Sequence, residues 1–135
     1  MRRGLACATG ALGLAAALGA GAAAAADAGV GGTWSITGRI EAAGALAVAQ
    51  PVCTFQQQGA AVSGSCEGPN SKGPVSGSVA GQHVTLQWRH TPKTDPGLAG
   101  VSTFDGELGA DGTIAGAWTY DGLPDAKGTF KAVRK

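Results

Sequence analysis

Charged and aromatic side chains are both scarce in this chain. Only 14% of its 135 residues are charged, the 10 basic residues nearly cancel the 9 acidic ones, and aromatics make up 5%. That leaves no basic stripe for nucleic acid. Amphipathic helical segments are missing after Asp27. The 24 glycines, against a usual share of about 7%, also exclude a helical bundle, since each helix-interior Gly costs about 1 kcal/mol relative to Ala. A collagen period is absent too. The three Trp, three Phe and single Tyr fall in strand-like runs, so the chain does not read as disordered.

One long apolar run exists, and it is at the start. Arg2 and Arg3 precede Leu5 to Ala26, which ends in Ala24-Ala25-Ala26, a small-x-small cleavage pattern. Residues 1–26 read as a cleaved secretory signal peptide and residues 27–135 as a single domain. The run is just long enough to span a membrane, but its small side chains and the lack of a basic stop after Ala26 favour cleavage. Arg2-Arg3 lacks the flanking residues of a twin-arginine signal. Cys7 precedes most of the apolar stretch, so lipidation is not expected. The expected location is secreted or periplasmic. Without Arg2 and Arg3, 8 basic residues face 9 acidic ones. Neither a nucleic-acid partner nor, after signal cleavage, a membrane partner is expected.

Two cysteines remain, Cys53 and Cys66, and in an oxidising compartment they are expected to form a disulfide. Closing a loop of about 14 residues contributes roughly 3 kcal/mol in the chain-entropy model. A metal site would need two more ligands, and His83 and His90 share neither spacing nor strand face. No metal and no cofactor are expected.

Period-2 alternation broken by Gly- or Pro-bearing turns predicts eight strands, at 33–40, 52–58, 61–67, 74–79, 82–90, 99–108, 113–120 and 127–134. The Ala-rich stretch 41–51 is open to an extra strand or a loop. Pro92 and Pro96 forbid a regular central strand over 91–97. A two-residue turn at Gly59-Ala60 sets Phe55 opposite Gly64 and Cys53 opposite Cys66. A one-residue slip would put the cysteines on opposite faces, so they and the hydrophobic pattern select one register. A turn at Ala80-Gly81 would pair Gly77 with Val84 and Val75 with Leu86. A turn through 109–113 pairs Leu108 with Ile114, Phe104 with Trp118 and Ser102 with Tyr120.

Each strand then has a dry face, such as Trp34, Ile36, Gly38 and Ile40, and a wet one, such as His83, Thr85, Gln87 and Arg89. With no helix to cover the dry face, an eight-stranded antiparallel up-and-down barrel is expected, which also removes edge strands. Inward glycines (Gly38, Gly64, Gly77, Gly106, Gly116, Gly128) point to tight curvature, or to a ligand approaching closely.

In this order the motifs resemble the calycin class of small barrels, and most of all the avidins. Gly32-Thr33-Trp34 is similar to the G-x-W of the first strand, and Gly128–Arg134 to the last, whose Arg covers that Trp. The resemblance thus implies an Arg134–Trp34 contact, for which cation–π attraction is the physical reason. Val62–Ser65 resembles the third avidin strand, His83–Arg89 the fifth, Phe104–Glu107 the sixth and Ile114–Trp118 the seventh. Carried over, Trp88, Phe104 and Trp118 form the aromatic wall of a pocket. The polar half of the biotin site is replaced: Ile36 and Ile40 stand at inward first-strand positions, and Cys66 where the family has Tyr. The family's last polar ligand residue lies beyond its terminal Arg, whereas the sequence stops at Lys135. Unsatisfied ureido groups would cost about 1–3 kcal/mol each, so tight biotin binding is not expected. No counterpart of the family's intersubunit Trp stands out, so tetramer formation is not implied.

The first functional expectation is a non-enzymatic barrel holding a small apolar or aromatic molecule at its open end, lined by Trp88, Phe104, Trp118 and Tyr120. The second is a protein-binding barrel, similar in size, export and single disulfide to periplasmic inhibitors of secreted proteases, although Asp27–Gly32 lacks an anchoring side chain. The third is a structural barrel with a fully packed core. Catalysis is not expected: Asp105 and Glu107 lie on a wet face, and neither His83 nor His90 has an evident partner in the sequence.

Overall fold

A computed structural model describes residues 27–42, 44–94 and 99–135. The expected signal segment 1–26, with Cys7, and Pro96 lie outside the described residues. Nine strands follow in order: β1 Gly32–Ala42, β2 Ala45–Ala49, β3 Val52–Gln58, β4 Ala61–Glu67, β5 Ser71–Ala80, β6 His83–Pro92, β7 Gly100–Leu108, β8 Ile114–Tyr120 and β9 Gly128–Arg134. All pairings are antiparallel, and β9 returns to β1, with Arg134 opposite Trp34 and Gly128 opposite Ile40. β2 and β3 lie end to end along β1 in one register, Gly38 facing Ala49 and Trp34 facing Cys53. Gln50-Pro51 separates them. Pro51 has no N–H to give, but its carbonyl still accepts from Ile36 N–H at 2.9 Å. With β2 and β3 counted as one interrupted strand, the fold is a closed eight-stranded antiparallel barrel, all-β over the described residues.

The first and third hairpins have the expected registers. The second differs by two residues. Ala80 faces His83, Gly77 faces Leu86 and Val75 faces Trp88, so the loop is Gly81-Gln82 and not Ala80-Gly81. Gly81 takes a φ of 63° there, which only glycine adopts without strain. A shift of two residues is one full pleat, and every side chain keeps its face. β6 also runs further than expected, ending at Pro92 opposite Ser71; as its last residue, Pro92 interrupts no ladder.

The inward faces form one core around Trp34, Phe55, Leu86, Phe104, Ile114, Trp118 and Phe130. The inward glycines serve curvature first. A Cβ on Gly64, Gly77 or Gly128 would run into the backbone carbonyl of Thr54, Thr85 or Arg39 on the neighbouring strand. Gly38 has a different neighbour: its Cβ would come within 2.8 Å of Trp118 Cε3.

Cys53 and Cys66 are bonded, their Cα atoms 4.0 Å apart and both side chains buried. Because Cys53 spends its backbone bonds on β1, the pair across β3 and β4 is of the non-hydrogen-bonded kind, where side chains stand closest.

One barrel end is shut by the segment ahead of β1. Ala28 N–H donates to Gly81 C=O at 2.8 Å, and Gly81 N–H to Asp27 Oδ1 at 2.9 Å. Gln57 accepts from Val30 N–H at 2.7 Å and donates to Ala28 C=O at 2.9 Å. Val30 is fully buried, and its carbonyl takes the Trp34 indole N–H at 2.9 Å. Arg134 lies over Trp34 and donates to the carbonyls of Gly31 and Gly29, both at 2.7 Å.

Candidate functional site

The other end is open, and the reason lies in strand lengths. β4 stops at Glu67, opposite Val52, while β2 continues along β1 beyond that point. Among the described residues, the outer side of β2 therefore meets no strand. Between it and the Gly68–Ser71 turn lies a cavity of about 480 Å³, within the size range of small-molecule sites.

Trp88, Trp118 and Tyr120 line this cavity, while Phe104 does not. Phe104 packs behind, stacked on Trp118 with centroids 6.1 Å apart and edge-on to Phe130 at 5.1 Å. The structure thus places Phe104 in the core, apart from the three aromatics that border the cavity. Its cross-strand partner Trp118 borders the cavity in its place.

Two polar residues complete the inner wall, His90 and Ser102, both buried. They share a hydrogen bond of 3.1 Å between His90 Nε2 and Ser102 Oγ. The His90 ring is held between aromatics, 4.5 Å from Trp88 and 5.4 Å from Tyr120, centroid to centroid. Tyr120 donates its phenol O–H to Ala99 C=O at 2.8 Å. Burial first, then the nearby Asp121 carboxylate, push that phenol above its ordinary pKa, so it stays a neutral donor. The indole nitrogens Nε1 of Trp88 and Trp118 are buried without a hydrogen-bond partner, a state that costs about 1–3 kcal/mol per group. The wall thus offers apolar surface and a His–Ser pair.

His90 has the inward parity of Trp88 two residues earlier, and Ser102 faces Tyr120 in the expected third-hairpin register. Parity and register were the signals for both. What the sequence did not show was the departure of β4, which opens a cavity beside them. The rim is tied by Lys93, whose ammonium donates to Glu67 Oε2 at 2.5 Å and Gly68 C=O at 3.1 Å, and whose N–H donates to Asn70 C=O at 2.8 Å. The Lys93 hydrogen bond and charge hold the Glu67 carboxyl below its usual range.

On the outer surface His83 does have partners, contrary to expectation. Its Nδ1 meets Glu107 and its Nε2 meets Asp105, both at 2.6 Å. Pairing of His83 with Glu107 across β6 and β7 brings them together, a neighbour relation invisible along one strand. No group of His, Cys, Asp and Glu side chains suited to a metal ion occurs among the described residues.

The closed eight-stranded antiparallel architecture is consistent with a calycin-like barrel, and the chain matches no protein-family model and no curated protein sequence.

Proposed function

We propose that this is an exported, non-enzymatic binding barrel, avidin-like in build, that takes a small apolar or aromatic molecule in its open end. The observation that carries the reading is the cavity of about 480 Å³ flanked by Trp88, Trp118 and Tyr120, at one end of a barrel whose other end is plugged. An aromatic guest would pack against the parts of these rings that border the cavity, and stacked or edge-to-face contacts are worth about 0.5–1.5 kcal/mol each beyond burial. Biotin is not the guest proposed. Ile36, Ile40 and Cys66 point into the core, where they offer a ureido group no partner. The protein-binding alternative has less support, because the described segment Asp27–Gly31 is engaged in closing the barrel.

Titration of the intrinsic Trp fluorescence with p-cresol, 2-naphthol and toluene tests the reading. A saturable change is expected for the wild type. It should be lost in Ala49→Phe, which places a ring in the cavity from the inward face of β2. No response to any of these probes, or an unchanged response in the variant, would overturn the proposal.

A further inference from the structure

The free side of β2 carries an inference about what presents the guest. Ala47 and Ala49 face inward, opposite Ile40 and Gly38 of β1. Ile36 N–H bonds Pro51 C=O, so every second residue back along this line (Ala49, Ala47, Ala45) spends its backbone groups on β1. The N–H and C=O of Leu46, Val48 and Gln50 point the other way. Among the described residues, β2 pairs with β1 alone, and no turn bond reaches those groups. Val48 and Gln50 nonetheless line the cavity. The pleat turns their side chains outward, so it is their backbone edge that borders it.

An unpaired edge is normally guarded by charge, proline or a covering element. Ala45–Ala49 has no charged residue and no proline. Outside it, Leu46, Val48 and Val52 are exposed at 52%, 45% and 39%, a row of apolar side chains on the outer face of the same line of chain. A cavity with aromatic walls, an amide edge along its rim and an apolar row outside match the alternation of one extended strand.

We propose, resting on the cavity reading above, that the open end receives an uncharged extended peptide. Its main chain adds to β2 through Leu46, Val48 and Gln50. One aromatic side chain enters between Trp88, Trp118 and Tyr120, and the flanking apolar side chains cover Leu46 and Val48. Main-chain pairing supplies affinity and the side-chain cavity supplies selectivity, as in other strand-addition sites. The absence of charged residues on β2 fits an uncharged segment.

The test compares three probes on the full domain by Trp fluorescence: p-cresol, the capped peptide Ac-Ser-Val-Phe-Val-Ser-NH2, and that peptide methylated on its three central backbone nitrogens. The unmodified peptide is expected to bind at least about tenfold tighter than both others, and to slow amide exchange at Leu46, Val48 and Gln50. Leu46→Pro, which deletes one outward N–H, should lower peptide affinity; p-cresol binding to that variant reports whether the cavity has survived. If p-cresol binds and the peptide does no better than its methylated form, the strand proposal falls and the small-molecule reading stands. If none of the three binds, both fall. Amides of β2 already protected in a protein that sediments as a dimer would give the edge to a second copy and overturn the peptide.

Discussion

The guanidinium carbon of Arg134 stands 4.4 Å from the centroid of the Trp34 ring, joining the two ends of the domain. The same guanidinium clamps the carbonyls of Gly29 and Gly31, so one side chain covers the Trp, closes the seam between β9 and β1 and holds the plug.

Arg134→Ala should therefore cost more than an ordinary surface substitution. Cation–π contact contributes about 0.5–1 kcal/mol at exposed sites, and a typical hydrogen bond about 0.5–1.5 kcal/mol net. A loss of about 1–3 kcal/mol in urea unfolding is expected. Amide exchange at Ala28 and Val30 should accelerate more than in the barrel strands. Arg134→Lys, which keeps the charge but not the fork, should lie between. Equal protection of Ala28 in all three proteins would refute the clamp.

The disulfide links β3 to β4 just below the line where the two strands part. Replacing both cysteines by Ala should lower unfolding free energy by about 2–4 kcal/mol, measured as a shift in the urea midpoint. Because Pro51 and the end of β2 lie just ahead of Cys53 in the chain, the loss should be felt at the cavity as well. Weaker probe binding than in the wild type is the expected companion result.

How far the fold was legible follows from which physical signals are local. Cys53 opposite Cys66 and Phe104 opposite Trp118 came from alternation and turn geometry, and these fix the barrel. The Gly81-Gln82 turn did not, because Ala80-Gly81 and Gly81-Gln82 preserve the same faces and the pattern of dry residues cannot separate them. Trp88, Trp118 and Tyr120 were legible as inward aromatics, yet nothing local told Phe104 apart from them. Its exclusion depends on depth along the barrel, which is set by how eight strands stagger. Likewise β2 was an undecided Ala-rich stretch, since alternating small residues give a weak period. The cavity exists because β4 leaves β2 unaccompanied, a relation between segments some twenty residues apart.

Gly38 offers a sharper test of the cavity wall. A methyl group there would lie within 2.8 Å of Trp118 Cε3, and Trp118 is itself buried between Gly38 and Phe104. Overpacking of this kind costs about 1–3 kcal/mol. Gly38→Ala should destabilise by that amount and push the indole towards the cavity, changing the near-ultraviolet circular dichroism and weakening p-cresol binding. A stable variant with an unchanged aromatic spectrum would show that the ring has room the structure does not give it.

His83 gives the fold a pH dependence of defined sign. The hydrogen bond to Glu107 is the largest cause raising its pKa, with the Asp105 charge adding to it and partial desolvation opposing. A raised folded pKa means that the protonated ring favours the folded state. Its contribution is fully present below the ordinary value near 6.5 and disappears as pH rises through the raised one. The urea midpoint of the wild type should fall across that window, relative to His83→Gln, and the two curves should run parallel outside it. Glu107→Gln should return the His83 titration, followed by NMR, towards the ordinary value, and Asp105→Asn should do so by less. A His83 ring that titrates at the ordinary value in the wild type would mean that these carboxylates are too well solvated to hold its proton.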